Sequence, residues 1–262
     1  MKKFLKILVF VLTVGAIGCL WFFIHKEHVE HPLKSVQLTV ERPTERGFID
    51  KDVEYAKIMA ICDTVHNTDI TMVPLDSVRR YIASIPWAIH TEARITFDEM
   101  LVVNIAECRP VMRIYNRDGR SVYLDEEGRV FPTKAAYTPH LIVGSGNLKF
   151  NDLKNRSAKI DDKNYSGSDL PKMFNVMKQI LNNTYTRCCV KQVYYDNKRY
   201  ELVMNNVDTR VILGNDRNLE ERLMNLQYFF EKMQGSEELK DYKEINFNFD
   251  NQVVCTKNKR KK

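Results

Sequence analysis

The sequence predicts an α+β chain in three parts: an N-terminal transmembrane helix, a β-α-α-β-β unit, and a mostly β domain with two helices packed on a sheet. Three observations carry this. An 18-residue run without a charge, Ile7 to Ile24, stands near the start. A strand pattern, two helical patterns and two further strand patterns follow within about 80 residues. The remaining half alternates short strand runs with turn residues, interrupted by two amphipathic stretches. The predicted boundaries are a cytoplasmic tail at 1–6, the spanning helix at 7–24, a stem at 25–32, folded units at 33–111 and 112–256, and a basic tail at 257–262.

Each residue of a helix rises about 1.5 Å, so the charge-free run reaches about 27 Å, close to the hydrocarbon thickness of a bilayer. Trp21, Phe22 and Phe23 sit at its far end, where aromatic rings favour the interface. Lys2, Lys3 and Lys6 precede it, whereas the far flank from His25 to Glu30 is nearly balanced, so the N-terminus is predicted to stay cytoplasmic and the bulk to be translocated. A cleaved signal peptide needs a shorter apolar core and a small-residue cleavage site. Ala16-Ile17-Gly18-Cys19 has the form of a lipoprotein box, which would lipidate Cys19, but Leu-Trp-Phe-Phe-Ile follows where a polar linker belongs. The uncleaved anchor is the reading adopted. His25, His28 and His31 share a spacing of three, but Pro32 ends any helix there and no further ligand is near, so the segment reads as a solvated stem.

Charge and cysteine usage narrow the function. Lysines 2, 3 and 6 bring +3, and Lys257, Lys259, Arg260, Lys261 and Lys262 bring +5, so the formal net charge of +6 leaves everything between at about −2. The basicity is terminal, and no nucleic-acid partner is expected. The six cysteines (Cys19, Cys62, Cys108, Cys188, Cys189, Cys255) contain no C-x-x-C pair, and Cys188–Cys189 are neighbours that could bridge only under strain. Neither a zinc site nor a disulfide framework is predicted.

In the first unit, Leu33 to Val40 alternates apolar and polar residues and reads as a strand with one buried face. Asp50 is a candidate N-cap for a helix carrying Val53, Ala56, Ile58, Met59 and Ile61. Pro74-Leu-Asp76 opens a second helix with Val78, Tyr81 and Ile82 on one face, ended by Ser84-Ile-Pro86. Trp87 to Phe97 and Leu101 to Ala106 read as two strands turned at Asp98-Glu99. Trp87 reads as a filler of the core.

In the second unit, Met112–Tyr115 and Ser121–Leu124 form a hairpin around Asp118-Gly119. Val130-Phe131 and Leu141–Val143 continue the strands, with Gly144 and Gly146 expected to break them. Asp125 and Gly128 fit a turn, the carboxylate accepting backbone N–H groups and the glycine supplying a positive φ. Residues 151–168 read as a long loop. A helix follows with Met173, Val176, Met177 and Ile180, then strands at 189–195, 200–204 and 209–213. A second helix from about Asn218 turns Leu219, Leu223, Leu226, Phe229 and Phe230 to the core. The last strand is read as Lys243 to Phe249, with 245, 247 and 249 on the buried face, followed by Val253-Val-Cys255.

No nucleophile elbow, P-loop, His-Glu-x-x-His or glycine-rich dinucleotide turn occurs. Glu126-Glu127 and Asp161-Asp162 are adjacent pairs, which point apart and make poor acid–base couples. The expectation is a binding protein that is not an enzyme, with no cofactor, metal or small-molecule substrate.

Several motifs in order resemble those of FtsQ/DivIB cell-division proteins. They are Ile85-Pro86-Trp87, Ala93-Arg94, Leu101-Val-Val-Asn-Ile, Glu107-Cys-Arg-Pro110-Val111, Tyr123-Leu-Asp125-Glu-Glu-Gly128-Arg-Val130-Phe131, and Leu213-Gly214 before a helix. The family's usual Arg-x-Trp-Pro is replaced by Arg94-Ile-Thr-Phe97-Asp, which marks a divergent member. The resemblance implies that the β-α-α-β-β unit is a POTRA domain and that the protein is a scaffold of the divisome at the septum, binding FtsB-like and FtsL-like bitopic proteins and other divisome components. It further implies partner binding by strand addition at the C-terminal edge, through Phe247, Asn248, Phe249, Val253 and Val254. Asn248 stands where the family has an arginine. The alternative is a POTRA-type periplasmic chaperone or transport module.

Overall fold

A computed structural model of the chain describes residues 10–22, 33–42, 44–62, 70–151, 157–165, 167–249 and 252–258. Residues 10–22 are helical (α1). Among the described residues no helix is long and apolar enough to cross a membrane. The predicted span at 7–24 runs past α1 on both sides, and the stem histidines and residues 259–262 also lie outside the described residues. Contacts divide the chain into two compact units, Met1–Arg42 with Ile49–Glu107, and Pro43–Phe48 with Cys108–Lys262.

The first unit follows the predicted order: β1 (Ser35–Glu41), α2 (Lys51–Cys62), a 3-10 turn (Ile70–Met72), α3 (Leu75–Ala83), β2 (Ala88–Ile95) and β3 (Met100–Glu107). Asp50 caps α2, its Oδ1 accepting the N–H of Asp52 at 3.1 Å and of Val53 at 3.3 Å. The strands form a sheet of order β1-β3-β2, with β1 parallel and β2 antiparallel to β3. Leu38, Ile58, Val78, Ile82, Leu101, Val103 and Ile105 fill the space between this sheet and the helices. Trp87 is half-buried against that core, as a filler is. Of the apolar residues of α2, Val53 is exposed, and only Ile58 and Cys62 turn fully inward.

The second unit is built on one ten-stranded sheet. Its elements are β4 (Pro110–Tyr115), β5 (Ser121–Asp125), β6 (Arg129–Pro132), β7 (Ile142–Gly146), β8 (Ala158–Lys159), α4 (Leu170–Asn182), α5 (Thr184–Cys189), β9 (Val190–Asp196), β10 (Arg199–Met204), β11 (Arg210–Gly214), α6 (Leu219–Lys232), β12 (Tyr242–Asn246) and β13 (Val254–Lys257). The strand order is β13-β12-β11-β10-β9-β7-β4-β5-β6-β8. Met173, Val176, Met177 and Ile180 of α4 and Leu219, Leu223, Leu226 and Phe230 of α6 are buried with the inward residues of the strands. Tyr194 and Val203 stand exposed on strands of the same sheet. Phe48 packs edge-on against Tyr123 and Tyr137 of this unit.

Four expectations are corrected. Gly144 and Gly146 do not break β7, which runs through both. Gly144 is where Met173 of α4 packs down, so a side chain there would strike the Met173 methyl. The stretch read as a loop at 151–168 contains β8, paired with β6, and a 3-10 turn at Lys163–Tyr165. A third helix, α5, was not expected; Asn183 caps it by accepting the N–H of Thr186 at 2.9 Å. The last-named strand ends at Asn246 and does not reach Phe249. None of the six cysteines forms a disulfide, and Cys62 and Cys108 are buried.

Candidate functional site

The C-terminal edge of the large sheet is assembled from β11, β12, β13, α6 and residues 247–249. β12 lies parallel to β11 and antiparallel to β13, whose outer side pairs with no strand among the described residues. Hydrogen-bond alternation fixes which groups face outward. The Phe247 N–H donates to Ile212 O at 2.8 Å, so Glu244 and Asn246 turn their backbone groups the other way, toward β13. Asn246 pairs with Val254 and Glu244 with Thr256, and the Asn258 N–H donates to Asp241 O at 2.7 Å. Even-numbered residues of β13 thus face β12. The N–H and C=O groups of Cys255 and Lys257 point to the open side.

The side chains alternate in the same way. Cys255 and Val253 pack against the core, while Val254 is exposed. Burial pushes the Cys255 thiol above its ordinary pKa, leaving it a poor nucleophile at neutral pH.

Of the five residues singled out from the sequence, Phe249 (45% exposed) and Val254 (40%) present apolar side chains to solvent. Phe247 does not join them. It is 2% exposed and meets Phe229 of α6 edge-on, with ring centroids 5.8 Å apart. Asn248 is half-buried, and its N–H donates to Asn246 Oδ1 at 2.9 Å. That side-chain acceptor offers the backbone an alternative to the ladder, which is why β12 stops at Asn246. The Asn248 side chain lies against Gly214, at φ +92°, where any Cβ would collide with it.

Arg222 was missed. It is buried on α6, and its Nη1 donates to Leu213 O (3.3 Å), Asn215 O (3.0 Å) and Asn215 Oδ1 (3.1 Å), while Nη2 reaches Asn248 O at 3.4 Å. One guanidinium therefore ties the end of β11, the turn into α6 and the segment leading to Phe249. The signal was present in the sequence: Arg222 falls on the same helical face as Leu219, Leu223, Leu226 and Phe230.

An open groove of about 670 Å³ lies at the other end of this edge, with Thr209, Leu239, Tyr242, Lys243 and Asn258 in its lining. Among the described residues no group of His, Cys, Asp and Glu side chains could hold a metal ion.

The chain is a mixed α+β protein whose large sheet ends on a strand that is unpaired on one side among the described residues and flanked by exposed apolar side chains. Residues 109–256 match the family model described as FtsQ/DivIB, C-terminal related, which covers more than half of the 262-residue chain. The chain belongs to that family. Comparison with curated proteins gives no match. Membership points to a role in cell division, with association with the membrane at the division site and with other division proteins.

Proposed function

We propose that this protein is a membrane-tethered scaffold of the divisome whose C-terminal sheet edge accepts a strand from a small bitopic partner of the FtsB-like or FtsL-like kind. In this reading the β-α-α-β-β unit is a POTRA domain. Residues 7–24 form a single-pass anchor with the N-terminus cytoplasmic and the rest periplasmic. The function is binding and not catalysis. The observation that carries it is the open side of β13, where the backbone groups of Cys255 and Lys257 lie beside Phe249 and Val254 in a domain of this family. An added strand satisfies those backbone groups, and exposed apolar side chains beside them supply selectivity. The anchor is supported by α1, whose Phe10, Val11, Leu12, Val14, Ile17, Leu20, Trp21 and Phe22 are all exposed. A helix apolar on every side needs a nonpolar solvent.

Two experiments test this. Depleting the protein in its host should give long cells with segregated nucleoids and no septa; normal cell length rejects the division role. A photoreactive residue at Val254 should then cross-link a small single-pass protein in host membranes. Phe249→Ala and Val253→Pro should each weaken that capture without unfolding the domain, and undiminished capture by both rejects the edge.

A further inference from the structure

Between Leu33 and Glu107 the two most exposed large apolar side chains, Phe97 and Met72, lie toward one end of the sheet. β1 runs parallel to β3 with Ser35 opposite Met100, so both strands start at the same end of the sheet. The β2–β3 hairpin tip, Thr96 to Glu99, is at that end too, closed by the Thr96 N–H donating to Met100 O at 2.9 Å. Lys34, just before β1, is fastened to the tip: its N–H donates to Glu99 O at 2.9 Å and its Nζ lies 2.9 Å from Glu99 Oε2. The helices start and finish at the opposite end. Before α2, the Ile49 N–H donates to Glu107 Oε2 at 3.1 Å; after α3, the Ala88 N–H donates to Ile85 O, and Ala88 pairs with Glu107. α2 therefore runs toward the hairpin tip and α3 away from it, with Arg79 Nε reaching Ala93 O at 3.1 Å on the way. Met72, three residues before α3 begins, therefore lies toward the tip end.

Met72 is 69% exposed, and Phe97 at the hairpin tip is wholly so. Among the described residues of the hairpin tip, Lys34 pairs with Glu99 and Arg94 with Glu92, which leaves Asp98 at its crest. The chain enters this end from the apolar helix α1. Only residues 23–32 intervene, and even fully extended that link spans about 40 Å or less.

We infer that this end of the first unit rests on the membrane surface, with Phe97 and Met72 entering the boundary between headgroups and acyl chains. The inference rests on the proposed anchor and adds a second point of membrane contact that fixes the tilt of the unit. Aromatic rings are at home at that depth. The charge left at the tip is that of Asp98, which is negative, so attraction to anionic headgroups does not drive the contact; it is apolar and should survive added salt.

Tryptophan quenching by lipids brominated near the headgroup tests it on the full chain in phosphatidylcholine–phosphatidylglycerol vesicles. The two native tryptophans are Trp21 and Trp87. One form carries W87F, leaving Trp21; the other carries W21F, W87F and F97W. Should W87F disturb the fold, W21F with and without F97W gives the same difference over the Trp87 background. The expected result is loss of emission in brominated vesicles for both probes, unchanged by salt. Quenching of Trp21 with none at position 97 overturns the surface contact and leaves the anchor standing. No quenching of Trp21 overturns the anchor and this inference with it.

Discussion

The two ends of the ten-stranded sheet stop in different ways. At one end β8 is two residues long, and the chain leaves it at once: the Ile160 N–H donates to Gly128 O at 2.8 Å, and Ile160 packs over the β5–β6 turn beside Phe174. At the other end β13 offers four residues, outward-facing backbone groups and exposed apolar neighbours. A short edge resists pairing with another chain, and a longer one with outward-facing donors and acceptors invites it. Within one sheet, then, the two edges are finished differently, and the proposed binding falls to the longer one.

The sharpest way to probe that difference is to separate what holds the open edge from what it displays. Phe247 and Phe249 are two residues apart, yet only the first is in the core. Phe247→Ala should cost about 3–5 kcal/mol by removing a buried aromatic side chain, read as a lowered urea midpoint with unchanged slope. Phe249→Ala should leave the midpoint nearly unmoved. Equal costs for the two would show that Phe249 packs inward and that the edge is not as open as described.

Next in size is Arg222. Replacing it with alanine leaves the carbonyls of Leu213, Asn215 and Asn248 without their shared donor, and the expected cost is about 2–4 kcal/mol. Part of the damage should be local, with amide hydrogen exchange faster at Asn248 and Phe249 than in β4 or β5. Uniform acceleration would reject the clamp.

Proline substitution compares the two ends directly. The outward-facing N–H of Lys257 can be lost without breaking β12–β13 pairing. On β8, Ala158 and Ile160 face β6, so Lys159 also points outward. Lys257→Pro should abolish cross-linking of a partner from Val254, and Lys159→Pro should leave it intact, with each protein losing less than about 1 kcal/mol of stability. Loss of capture by the β8 variant would reject the assignment of binding to one end.

Much of this was legible in the sequence, and the exceptions have physical reasons. Strand alternation located β1 and β12, and Pro74, Asp50 and Ser84-Ile-Pro86 marked helix ends, because these signals are local. The end of β12 was misread because alternation at 245, 247 and 249 continues past it; an Asn246 side chain capturing the Asn248 N–H leaves no mark in hydrophobicity. Arg222 escaped since arginine is normally solvated, and only its place on the apolar face of α6 betrays it. β8 was invisible at two residues. Phe97 was noted as a departure from a family pattern, but nothing local tells that it stands at the end where β1 begins; that follows from the parallel pairing of β1 with β3.

The smallest effect concerns the closed end. Asp125 is buried where β5 turns into β6, and its Oδ1 accepts the N–H of Glu127 at 3.0 Å and of Arg129 at 2.8 Å. Desolvation nevertheless dominates and raises its carboxyl pKa above the ordinary value, against the pull of those two hydrogen bonds and of Arg129. A carboxyl whose folded pKa is raised binds its proton more readily in the native state. Its contribution to stability is therefore full at low pH and is lost as pH rises through the folded pKa. Asp125→Asn keeps an acceptor for both N–H groups and carries no charge. Relative to the wild type, the variant should gain stability as pH rises from the ordinary carboxyl pKa of about 4 through the raised folded value, measured as the difference in urea midpoint at each pH. A difference that moves the other way would mean that the hydrogen bonds and Arg129 outweigh burial. The closed end would then be held by a stabilised carboxylate and not by a turn that tolerates one.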